Sequence, residues 1–141
     1  MSALDGMRTI VIGAGRSGRS AACCLVAQGA AVRVLDRSES VLREASWPAG
    51  VEARVGDDSC GELDRVDLVV PSPGVPRDHG LLREAVARGI PVWSEIELAA
   101  RFLDCPVLAV TGTNGKSTTT VLLGAMLKAA GGEVFVGGNL G

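Results

Sequence analysis

Two hydrophobic periods take turns along this chain. Short runs rich in β-branched residues occur at 8–12 (Arg-Thr-Ile-Val-Ile), 31–35 (Ala-Val-Arg-Val-Leu), 51–55 (Val-Glu-Ala-Arg-Val) and 66–70 (Val-Asp-Leu-Val-Val), and Pro91-Val92-Trp93 is a shorter one. Their length and composition predict strands, the third of them half-buried because polar and apolar residues alternate in it. Helical spacing is found at 17–28, 41–45 and 81–88, with Gly29 and Gly89 stopping the first and the last, as glycine does at helix ends. Strands alternating with helices predict a parallel α/β sheet. Right-handed crossovers put its five strands in the order 3-2-1-4-5.

Beyond that sheet, 95–103 reads as a departing helix, with Glu95 and Glu97 in its first turn as structural charges, placed where the helix dipole favours them. A strand at 107–110, an amphipathic segment at 121–130 ended by Gly131-Gly132, and a further strand at 133–136 follow. Two strands and one helix cannot bury a core of their own. Residues 1–93 are therefore expected to form a whole domain, and 94–141 the incomplete opening of a second one, in a protein longer than this chain.

Composition narrows the class without naming a chemistry. The chain has 141 residues, 47% of them apolar, and a formal charge of −2, enough for a sizeable core and unlike a disordered segment or a basic nucleic-acid surface. No apolar run approaches the roughly 20 residues that span a bilayer, and the first residues lack the layout of a signal peptide. A cytoplasmic protein with no membrane or nucleic-acid partner is expected. Cys23 and Cys24 are adjacent while Cys60 and Cys105 stand alone, so the four read as small reduced side chains and not as a metal site.

The candidate chemistry lies in three turns. Gly13-Ala14-Gly15-Arg16-Ser17-Gly18 follows the first strand and opens the first helix, and Asp36 closes the next strand. That unit is the diphosphate-binding arrangement of a Rossmann-like sheet, with the turn at the switch point; the alternative is glycines that serve only close packing. Asp36 can accept hydrogen bonds from a ribose or another polar ring of a nucleotide, which in a dehydrogenase would favour NAD, while Arg37 and Ser38 suit another nucleotide equally well. The second turn, Pro71-Ser72-Pro73-Gly74-Val75-Pro76, is rigid and lies at the carboxyl edge where such sheets bind ligands. Ser72 and the Gly74 backbone are candidate contacts there, against a simple connector. His79 reads as a helix-start or surface residue.

Gly112-Thr113-Asn114-Gly115-Lys116-Ser117 is the third turn, set between the 107–110 strand and the helix that Lys116-Ser117 opens. Its glycines let backbone N–H groups face one concavity at a helix N-terminus, a cradle for a polyphosphate. Lys116 can charge-pair with the outer phosphates and Ser117 can ligate the accompanying Mg²⁺. The strict eight-residue pattern fails, since Val110 stands where its first glycine belongs. A plain turn is the other reading, but a lysine in a first turn opposes the helix dipole unless an anion is near.

Taken together, Ile12-Gly13-Ala14-Gly15, Ser72-Pro73-Gly74-Val75, Glu95-Ile96-Glu97-Leu98, Thr111-Gly112-Thr113-Asn114-Gly115-Lys116-Ser117-Thr118 and Gly137-Gly138-Asn139-Leu140-Gly141 make the whole chain resemble the Mur ligases. The Val110 departure is normal in that family. Asn114 resembles the branch that adds D-glutamate and not the L-alanine-adding one, which usually carries His there; folylpolyglutamate synthases have Gly-Ser after the lysine. The resemblance implies a Rossmann-like UDP-substrate domain followed by the truncated start of a P-loop ATPase domain. It implies a monomeric cytoplasmic ligase of peptidoglycan synthesis that uses ATP and Mg²⁺ to join D-glutamate to UDP-MurNAc-L-Ala through an acyl phosphate.

By the same resemblance Lys116 and Ser117 are catalytic, and Gly112, Thr113, Asn114, Gly115, Lys116, Ser117 and Thr118 hold ATP, with Ser117 on Mg²⁺. Gly15, Arg16 and Ser17 match the diphosphate contacts, Asp36, Arg37 and Ser38 the region around the uracil, and Ser72, Gly74 and Asn139 the rest of the substrate; family members often differ at 16, 37 and 38. A modified lysine, further Mg²⁺ ligands and a carboxyl-terminal domain of that family lie outside these residues, so the chain alone is expected to be inactive. The competing readings are a NAD-dependent oxidoreductase built on 1–93 and a non-catalytic nucleotide sensor.

Overall fold

The computed structural model describes residues 3–56 and 60–138, so the expected substrate contact Asn139 lies outside the described residues. Its elements are β1 (Arg8–Ile12), α1 (Arg16–Ala27), β2 (Ala31–Asp36), α2 (Glu39–Glu44), β3 (Val51–Val55), a 3-10 turn (Cys60–Leu63), β4 (Leu68–Pro71), α3 (Gly80–Ala87), α4 (Glu95–Ala100) and α5 (Lys116–Ala129). The chain divides into two compact units between Asp104 and Cys105.

In the first unit four parallel strands run in the order β3-β2-β1-β4. The period-2 alternation of each strand sends neighbours to opposite faces. Val11, Val32, Val34, Leu68 and Val70 pack with Ala22 and Leu25 of α1 and Leu98 of α4. Ile10, Ile12, Leu35 and Val69 pack on the other face with Leu81, Leu82 and Ala85 of α3 and with Leu63. Burial on both faces is what a sheet wound by crossover helices requires, and it brings the carboxyl ends of β1, β2 and β4 to one edge. β3 is the outer strand and is mostly exposed. Arg33 of β2 ties it down, 3.0 Å from Glu52 and 3.0 Å from Glu62, and Glu52 also pairs with Arg54 along the strand.

The expected fifth strand does not form a ladder. Residues 91–93 touch β4 through a single parallel bridge, Val69 to Val92, where the Val69 N–H donates to the Pro91 carbonyl (3.0 Å) and the Trp93 N–H donates to Val69 (3.0 Å). Pro91 has no N–H to give, and Ser94 immediately caps α4 by accepting from the Glu97 N–H at 3.1 Å, so the chain turns helical before a strand can extend. That cap keeps α4 with the first unit. Leu98 is 1% exposed in the core beside α1, Arg101 lies 3.9 Å over the Trp93 ring, and the compact unit ends at Asp104.

The second unit holds α5. Residues 107–110 and 133–136, both expected as strands, pair with nothing among the described residues. A helix closes its own hydrogen bonds, but a strand exists only beside a neighbour. Val107, Leu108 and Phe135 are correspondingly exposed, the last at 94%. The chain does fold back along α5: the Gly132 N–H donates to the Leu127 carbonyl at 3.0 Å, and a Cβ at Gly124 would meet Val136 Cγ2.

Candidate functional site

The three glycines of the first turn serve different ends. Gly13 has φ +95°, and a Cβ there would meet Ser72 Oγ at 2.9 Å. Gly18 packs so closely that a Cβ would lie 1.8 Å from the Gly13 carbonyl oxygen. Gly15 has an ordinary φ of −67° and nothing within 4 Å of a built Cβ. The fold thus explains two of these glycines and leaves Gly15 bare at the N-terminus of α1. No side chain caps that helix and no acid sits in its first turn, whereas α2 and α4 have both a serine cap and a first-turn acid. Uncapped amides at a helix start favour an anion.

Asp36 braces this turn. Its Oδ2 accepts from the Ala14 N–H at 2.7 Å and its Oδ1 from the Ser38 N–H at 2.8 Å. Each carboxylate oxygen keeps a second acceptor site for a ligand. Ser72 has a comparable duty, since its hydroxyl donates to the Gly13 carbonyl at 3.1 Å and locks the proline turn to the glycine turn. Ser38 is spent as the cap of α2, accepting from Val41 N–H at 3.4 Å. Between these turns lies a cavity of about 220 Å³ bounded by Gly13, Asp36, Arg37, Gly74, Val75 and His79. Asp36, Arg37 and Gly74 therefore line one cavity, and Arg16 and Ser17 line a different one on the α1 side. His79, read from sequence as a helix-start residue, is the N-cap of α3 and also lines the first cavity; its position just before a helix was the available signal.

The second loop stands in its own unit. Gly115 is the N-cap of α5 with φ +78°, in the left-handed region that glycine tolerates, and again there is neither a side-chain cap nor a first-turn acid. Lys116 Nζ folds over the loop to donate to the Gly112 carbonyl at 2.6 Å and the Thr113 carbonyl at 3.3 Å. Ser117 and Thr118 are exposed. A first-turn ammonium held by carbonyls and an uncapped helix start suit a polyphosphate with its divalent cation.

Similar proteins give this geometry a context. Residues 7–94 match the family described as Mur ligase MurD-like, N-terminal domain. The chain is 47% identical to a UDP-N-acetylmuramoylalanine–D-glutamate ligase of Syntrophus aciditrophicus, over 98% of this chain and 32% of that protein. It is 49% identical to one of Anaeromyxobacter dehalogenans, over 98% of this chain and 30% of that protein. The crystal structure of UDP-N-acetylmuramate-alanine ligase MurC from Thermotoga maritima superposes with a TM-score of 0.54 at 27% identity, covering 94% of this chain and 32% of that one. The chain spans about a third of the length of the curated relatives it matches.

Proposed function

The chain belongs to the MurD-like Mur ligase family through its N-terminal domain, and from that membership we propose that it is the nucleotide-binding opening of an ATP-dependent ligase that adds D-glutamate to UDP-MurNAc-L-Ala in the cytoplasm. The first unit is the UDP-substrate domain. Gly15, Arg16 and Ser17 take the diphosphate, Asp36, Arg37 and Ser38 the region around the uracil, and Ser72, Gly74 and Asn139 the rest of the substrate. Residues 112–118 take ATP, with Lys116 on the outer phosphates and Ser117 on Mg²⁺. ATP when bound supplies the phosphoryl group that activates the substrate carboxylate. This chain's part is to hold the anions still and offset their charge by loop amides and Lys116. The working enzyme is a monomer.

The observation that carries this reading is Gly15: a residue whose lack of a side chain the fold does not use, at an uncapped helix start beside Asp36. Calorimetric titration of the chain should give heat with UDP and none with NADH; the reverse would make the turn a dinucleotide site. In the full-length protein, coupled phosphate release should depend on D-glutamate and not on other amino acids, and the 141-residue chain alone should release none.

A further inference from the structure

The two edges of the first unit's sheet are finished differently. On β3, Glu52 and Arg54 are both engaged in ion pairs. The opposite edge is residues 91–93, which reach β4 through the Val69–Val92 bridge. Val69 bonds to the Pro91 carbonyl and the Trp93 N–H, so the N–H and C=O of Val92, between them, point away from β4. Neither has a partner among the described residues, and such an edge is a template for another strand. Beside it, against α3, lies a cavity of about 480 Å³. Leu82, Val92 and Val86 give it an apolar wall, with Val86 68% exposed. Arg77 and Arg83 give it charge, and neither guanidinium pairs with a carboxylate among the described residues. Arg88, at the end of the same helix, shows the contrast: it pairs with Asp64 at 3.1 Å and with Glu84 at 2.7 Å. Among the described residues no acid lines the groove, nor does any residue assigned above to a nucleotide.

We propose that this groove docks an extended acidic segment of a partner protein, added to the sheet beside residues 91–93. The Val92 N–H and C=O hold its backbone; in strand addition main-chain bonds supply affinity and side-chain pockets supply specificity. Successive side chains of a strand alternate between faces, so the docked residues i−2, i and i+2 face α3 together. An aliphatic residue at the centre packs on Leu82 and Val86, and acids on either side of it form charge-assisted bonds with Arg77 and Arg83. A basic segment would set like charges against both guanidiniums. A second copy docked groove to groove fails for the same reason, because a two-fold contact brings the same arginines face to face.

The test is fluorescence anisotropy with a fluorescein-labelled Glu-Ser-Val-Ser-Glu peptide, blocked at both ends, on the 141-residue chain and on the full-length protein. Both are expected to bind it. Arg77→Ala combined with Arg83→Ala should weaken binding by about tenfold or more at an unchanged melting temperature, since both side chains are exposed. N-methylation of the peptide's three central amides should weaken it as much. Arg77→Glu combined with Arg83→Glu should shift preference to Lys-Ser-Val-Ser-Lys, a reversal that a misfolded chain cannot produce. No binding, equal binding of the acidic and lysine peptides, or affinity unchanged by the arginine variants overturns the proposal, and undiminished binding of the N-methylated peptide overturns strand addition. Binding to the chain but not to the full-length protein means that the remaining polypeptide covers the groove, and overturns an outside partner. Self-association of the chain that the arginine variants abolish assigns the face to a second copy and overturns it equally.

Discussion

At the scale of single residues, the first glycine turn separates what folding needs from what a ligand needs. A Cβ on Gly18 would lie 1.8 Å from the Gly13 carbonyl, so Gly18→Ala should destabilise the first unit by about 1–3 kcal/mol or more, the usual range for forced overpacking. Gly15→Ala meets nothing and should leave the melting temperature unchanged, yet weaken UDP binding by about tenfold, or 1.4 kcal/mol, if the proposed diphosphate site is there for its methyl group to obstruct. Thermal melts with calorimetry on the two variants read both effects; a melting loss in Gly15→Ala would remove the case for a ligand there. At the other end of β1, Asp67 anchors the start of the strand. Its Oδ2 accepts from the Arg8 N–H at 2.8 Å, and the Arg8 side chain adds to this; the backbone bond first and the guanidinium next hold the carboxyl below its ordinary value near 3.8. A lowered native pKa stabilises above the unfolded value and is lost as pH falls through the native one. Acid melts followed by tryptophan fluorescence should therefore lose stability below about pH 4, and Asp67→Asn should flatten that limb while lowering stability near neutrality.

Among the elements, α4 shows how local chemistry overrules pattern. Its apolar spacing reads as a helix from sequence, but its allegiance depends on Leu98, buried against α1, and on the Ser94 cap. Leu98→Ala should cost about 2–5 kcal/mol in denaturant unfolding of the first unit; an unchanged midpoint would detach α4 from it. The strands β1 to β4 and helices α1 and α3 were legible because period and glycine stops agree within each segment. The fifth strand was not, since Pro91 and Ser94 leave room for only one bridge. Residues 107–110 have the composition of a strand, but composition cannot supply the neighbour a strand requires. The same limit applies to the site. The glycine loops and Asp36 were readable as motifs, whereas the Asp36 brace on Ala14 and the Ser72 lock on Gly13 depend on contacts between residues distant in sequence.

For the whole molecule, the chain divides into two compact units between Asp104 and Cys105, and residues 103–109 are exposed and outside any helix or strand. Such stretches are where proteases cut. Brief digestion with a broad-specificity protease should give a resistant fragment ending near residue 104, measurable by mass spectrometry; cleavage first within 8–100 would contradict the division. The outer strand of the first unit has a further consequence. β3 carries Glu52, paired with Arg33 on β2, and Arg54, paired with Glu52, and charges on an edge strand discourage a second sheet from docking there. Concentrated solutions should therefore resist fibril growth from that side, and a Glu52→Val, Arg54→Val double variant should turn cloudy on standing, its new assemblies growing by one strand at a time.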